Sequence, residues 1–382
     1  MQMDGAVLMR MRRLVFAAAV LALCLCVACA DFERPRKPDA PASGVVLVAG
    51  SDFSTGFLSA IDPSGARAYR DILPVFQDSS IHYDAGGASY VLQRLGSDSV
   101  MRVDHNAGYL AQYEISLGSK LNPQSIALLP GGLFAVSFFN ANHIDIRSRS
   151  SGALLSQIHI SAYADADGFA EAGDMLYHAG FLYVAIQRLN RGATDALWPP
   201  EGTSYLLKID TTNYTIAATT LSHTNPISRL HYNAARDSII FAAAGRFAAN
   251  YQLDGACLEF SVASATLLAP LISEAQAGYE IADCEITAGG SGIFSGYDAA
   301  LNSVFGGFNT TGPQVTSIAA FLNRNNGGYL AGFLLHSNGN VYLADRNIFQ
   351  PGVRIFNGAT LAELTATALS TGLPPLTLEE VP

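Results

Sequence analysis

The chain has 382 residues, a formal net charge of −10, only 14% charged residues and 35 glycines. An acidic balance of this kind disfavours nonspecific nucleic-acid binding, which needs a basic footprint, so nucleic acid is set aside as a partner. Length alone would allow two domains. Weakly similar segments recurring about every 45–50 residues instead fill the chain from Gly44 to the C-terminus, and that period marks one closed β-propeller of seven blades.

In chain order, the first signal is Arg10, Arg12 and Arg13 ahead of the apolar run LVFAAAVLALCLCVACA, a secretory signal pattern too short for a membrane span. Its end, Cys26-Val27-Ala28-Cys29, resembles a bacterial lipobox with Cys29 as the lipidated residue, although Cys26 stands where that motif prefers Leu. The resemblance implies a signal peptide over 1–28, a membrane partner through a lipid anchor, and outer-membrane sorting because Ala30 rather than Asp follows Cys29. A plain secretory signal ending in a small-x-small site is the alternative. Residues 29–43 continue as DFERPRKPDAPASG after Ala30, a Pro-rich, charged segment that reads as a spacer. Removing 1–28 takes the net charge to about −12.

The domain over 44–382 shows its repeat most clearly in SYVLQRLGSDSVMRVDHNAG (89–108), LFAVSFFNANHIDIRSRSSG (133–152) and LYVAIQRLN…SYLLKIDTTN (182–213). Each is a strand-like run ending in a polar turn. Inner strands are expected at 79–87, 124–132, 172–180, 227–235, 282–290 and 332–340. A seventh is missing at the N-terminal end, so LPPLTLEEV is expected to close the ring, with residues near 374–381 pairing beside the strand at 45–50.

Alternating strand direction places the loops between second and third strands on the same face as the loops leading into inner strands. That face should carry Arg94, Arg188, Arg246 and Arg346, each just past a second strand, with Gln93 and Gln187 preceding two of them. It should also carry the longest such loop, 187–204, with the only tryptophan, Trp198. Guanidinium groups with an aromatic neighbour suit a small anionic ligand; bracing of neighbouring loops is the alternative. Cys257 and Cys284 fall near the same face and form an even pair, which points to a disulfide in an oxidising compartment.

The segment YADADGFAEAGD (163–174) brings Asp165, Asp167 and Glu171, oxygen donors for a hard cation such as Ca²⁺, to that face. The spacing is not that of an EF-hand, and turn-forming carboxylates or an ion-pair network with Arg188 is the alternative. Motifs of serine hydrolases, zincins and phosphate loops are missing from the sequence. His82, His178 and His336 fall on inner strands as core residues, and His143 has no evident partner.

The repeated LYVA…IDxxxG pattern, with Asn122-Pro123 and Asn225-Pro226 before inner strands, resembles the YncE-like, surface-layer type of seven-bladed propeller. This resemblance implies a surface or binding protein. A narrower likeness, to propeller lipoproteins that capture iron chelates, implies an anionic metal chelate as ligand. Three functions follow. The first is a non-enzymatic, lipid-anchored, monomeric binding protein for a small anionic ligand or an envelope protein. The second is an envelope scaffold; the third is a metal-dependent, lactonase-like hydrolase or lyase using Asp165 and Glu171.

Overall fold

The computed structural model describes residues 40–194, 198–246, 251–323 and 327–382; the signal segment, Cys29 and most of the spacer lie outside them. Seven antiparallel sheets form the compact unit Asp39–Pro382. The fold is an all-β, seven-bladed propeller, and its inner strands lie where the sequence places them.

Blade 1 is built from both ends of the domain: inner strand Pro375–Val381, then Val45–Ser51, Gly56–Ile61 and Ala68–Val75. The register runs from Val45 opposite Val381 to Ala49 opposite Thr377, so the expected closure is present. Blade 2 begins with Ser79–Asp84 and Ala88–Gln93, blade 3 with Pro123–Leu129 and Leu133–Phe138, and blade 4 with Ala172–His178 and Phe181–Ile186. Blade 5 begins with the short His231–Asn233 and Ser238–Ala243, blade 6 with Glu280–Ile286 and Gly292–Tyr297, and blade 7 with Leu330–Leu335 and Asn340–Asp345. Blade 7 has three full strands; the isolated bridges Val353 to Leu369 and Phe356 to Glu363 stand in for its outer one.

Burial explains the sequence pattern. Second strands such as Ala88–Gln93 and Ser238–Ala243 are buried at every position, because a neighbouring blade covers each side. They therefore read as continuous apolar runs instead of alternating ones. Between blades 4 and 5, for instance, Tyr183, Ala185, Phe241 and Leu258 interlock, and all four are fully buried. Outer strands such as Leu110–Ser116 are mostly exposed.

The Asn-Pro pairs have a shared structural cause. Asn122 and Asn225 adopt left-handed backbone at φ 49° and 61°, a conformation Asn tolerates better than most residues. Their carbonyls accept from Phe139 and Ala244, each at 2.9 Å, which clips the turn into the inner strand onto the loop after the second strand of the same blade. Cys257, on the third strand of blade 5, is bonded to Cys284 on the inner strand of blade 6, as expected; their Cα atoms are 6.0 Å apart. The outer edge of blade 5 is only Thr266–Leu267 and Ile272–Ser273, so the bond secures a blade with a short, broken sheet edge.

Candidate functional site

The face bearing the second-to-third loops, hereafter the upper face, holds all four predicted arginines, one each on blades 2, 4, 5 and 7. Three of them are anchored separately. Arg94 donates through Nε and Nη2 to Asp78, at 3.1 and 2.6 Å. Arg346 is only 6% exposed. Its Nη1 donates to the carbonyls of Pro374 and Pro375 and its Nη2 to that of Ser51, with Phe53 stacked on the guanidinium. Arg188 donates to the carbonyl of Thr203 and lies over Tyr205. Arg246 is exposed.

Gln93 and Gln187 are buried. Gln93 accepts from the Phe76 amide and donates to Ser99 and Glu114, so its amide is used within its own blade. His143, which seemed unpartnered in sequence, stands 3.4 Å from Asp145 and packs on Phe138.

Asp165, Asp167 and Glu171 do converge, on the loop that leads from blade 3 into blade 4. One oxygen from each lies within 4.8 Å of the others. The arginine among them is Arg191, three residues beyond Arg188. Its Nε is 3.0 Å from Asp167 and 3.1 Å from Glu171, while its guanidinium covers the Phe169 ring and Nη1 donates to Asn140. Glu171 is fully buried and takes the Leu189 amide on Oε2. Asp165 Oδ2 is a buried oxygen without a hydrogen-bond donor, and Glu171 Oε1 has only the 3.1 Å approach of Arg191 Nε. Burial, with Asp167 alongside, raises the Asp165 carboxyl to about 6, and burial raises Glu171 to about 7. Asp167 is held below the usual carboxylate range because Arg191 and Asp165 outweigh its burial. Trp198, 44% exposed, stacks on Phe139 at 5.7 Å beside this cluster.

A second polar concentration, which the sequence reading missed, lies on the propeller axis. Inner strands of blades 2, 4, 5, 6 and 1 contribute His82, Asp174, His231, Asp283, Glu285 and Glu379, and the turn into blade 5 contributes Arg229. Arg229 donates to the Leu378 carbonyl at 3.0 Å and pairs with Glu379 at 3.4 Å. His231 stands 3.5 Å from both Asp283 and Glu285. Burial lowers the His231 imidazole, but Glu285 and Asp283 reverse this and carry it to about 9; burial and Arg229 press His82 down to about 3. The available signal was that His82, Asp174, His231, Asp283, Glu285 and Glu379 are charged or titratable positions on inner strands.

Among solved structures, the chain is similar to a Bacteroides fragilis protein provisionally assigned as a 6-phosphogluconolactonase, with 14% identity, TM-score 0.59, and 88% of this chain and 97% of that one covered. It is also similar to the dihydro-heme d1 dehydrogenase NirN, with 11% identity, TM-score 0.54, and 91% and 77% covered. AztD from Citrobacter koseri gives 12% identity, TM-score 0.52, and 87% and 96% covered. The likeness is one of fold. No protein-family model and no curated protein matches the sequence. A shared propeller carries no activity across at such identities, so the site has to be read from its own residues.

Proposed function

We propose that this chain is a non-enzymatic, YncE-like cell-envelope lipoprotein, held at the outer membrane through Cys29, that binds a hard divalent cation such as Ca²⁺ on the loop between blades 3 and 4. Asp165, Asp167 and Glu171 are its ligands, and the cation recruits a small anionic ligand beneath Trp198. The observation that carries this reading is the convergence of three carboxylates around one guanidinium that pairs with only Asp167 and Glu171, which leaves the buried Asp165 Oδ2 without a hydrogen-bond donor. A buried acceptor without a donor costs free energy, and a cation removes that cost. Calcium takes six to eight oxygen ligands, so three carboxylates leave positions for an anionic oxygen. In this reading the bound cation takes over the anion-attracting role that the sequence assigned to the four arginines. Arg94 and Arg346 are already engaged by their own chain.

Native mass spectrometry and calcium titration of the purified full chain test the proposal. One tightly held calcium, lost in Asp165→Asn and Asp167→Asn, supports it. Absence of calcium binding in the unaltered protein rejects it, and lactone turnover abolished by a chelator moves the assignment to the hydrolase reading.

A further inference from the structure

The axial cluster surrounds a chamber of about 210 Å³, walled by His82, Asp174, Met175, Arg229, Leu230, His231, Glu285, Leu334, Leu335 and Glu379. Arg229 separates it from a second chamber of about 210 Å³ above, which has more apolar walls. Four features of the lower chamber define what it can hold.

Its charge is unbalanced. Asp174, Glu285 and Glu379 face only Arg229 and His231 as cations, because His82 is kept neutral, and His231 is shared with Asp283 in the wall of the upper chamber. Burial raises the carboxyls of Asp174, Glu285 and Glu379, the response of acids that lack enough countercharge. Glu285 is also under-engaged: its one ion pair is the 3.5 Å approach of His231 Nδ1. Asp174, by contrast, takes the Ser125 hydroxyl at 2.5 Å and the Leu230 amide at 2.7 Å.

The acids are too far apart for a bare ion. Among the described residues, only Asp165, Asp167 and Glu171 bring three ligand atoms within 4.8 Å of one another. The walls are also mixed, since Met175, Leu334 and Leu335 set apolar surface beside the carboxylates. Ligand sites commonly combine an apolar lining with a few fixed polar groups.

We infer that this chamber binds a small organic cation, a primary or secondary amine with a short aliphatic body, whose ammonium lies among Asp174, Glu285 and Glu379. The ammonium supplies the missing positive charge and donates to Glu285, the least engaged of the three acids. Its methylenes lie against Met175, Leu334 and Leu335. The site is independent of the calcium site.

Isothermal titration of the full-length chain in detergent, near neutral pH, tests this with butylamine as probe and with butan-1-ol, butanoate and zinc chloride as controls. Saturable binding of butylamine alone is the expected result. Glu285→Gln, which keeps the shape and removes the charge, should weaken it at least about tenfold. Leu334→Phe, which fills the chamber without altering charge, should abolish it, and Asp165→Asn should leave it unchanged. Equal binding of butanol, binding of zinc alone, or full butylamine affinity in both Glu285→Gln and Leu334→Phe overturns the assignment.

Discussion

Arg346 and Ser51 are 295 residues apart in the chain, yet the Arg346 Nη2 donates to the Ser51 carbonyl at 2.8 Å. The same guanidinium reaches Pro374 and Pro375, so one side chain spans the seam where the last strand enters the first blade. Replacing it with Ala removes three charge-assisted hydrogen bonds beside buried carbonyls. A loss of about 3 kcal/mol in urea unfolding is expected. Unchanged stability together with lost ligand capture would return Arg346 to a binding role.

The disulfide joins blades 5 and 6 over a separation of 27 residues. Closing a loop of that size contributes about 3 kcal/mol by restricting the unfolded chain. The Cys257→Ser, Cys284→Ser double variant should show a lower urea midpoint, and reduction of the unaltered protein should reproduce the shift.

Arg191 offers a test with an informative sign. Its guanidinium lies 3.0 Å from Asp167 and 3.1 Å from Glu171 and competes with a cation for both. Arg191→Ala should therefore raise calcium affinity by about tenfold or more, given a unit charge removed at close range. It should also lower the stability of the calcium-free protein, where three carboxylates then stand uncompensated. Calcium calorimetry beside thermal unfolding reads both effects.

His231 makes stability depend on pH in the alkaline range. Its folded-state pKa, about 9, lies above the ordinary 6.5 because Glu285 and Asp283 outweigh the effects of burial and Arg229. A raised histidine contributes stability that is full below pH 6.5 and is lost as pH rises through about 9. Burial raises the neighbouring Asp174, Glu285 and Glu379 carboxyls as well. Urea unfolding from neutral pH to above pH 9 should show the decline, and His231→Gln should flatten it.

The repeat made the ring legible because each blade solves the same packing problem. A buried second strand must be mostly apolar, with any polar side chain satisfied inside the sheet as Gln93 is, and Asn122 and Asn225 mark turns that need left-handed backbone. The closing strand was legible as the partner of an otherwise missing inner strand. The site was only partly so. Asp165, Asp167 and Glu171 are close in sequence and stay close in space. Which arginine joins them depends on how loop 187–204 folds back through the bridge of Leu189 to Pro200, and spacing alone cannot distinguish Arg191 from Arg188. The axial cluster was hidden for a different reason: His82 and Glu379 sit on neighbouring blades but come from opposite ends of the chain, and a charge in a strand reads as solvent-facing until the axis is built.

Closure of the first blade also orders events in time. Glu379 reaches the Tyr83 amide from 296 residues away, and its strand supplies one wall of the axial chamber. In any synthesis or export that proceeds from the N-terminus, that wall arrives last. The chamber is then completed only in the compartment where residues 375–381 finally emerge. Any molecule it holds must be met there, since an unfinished ring has nowhere to carry a passenger.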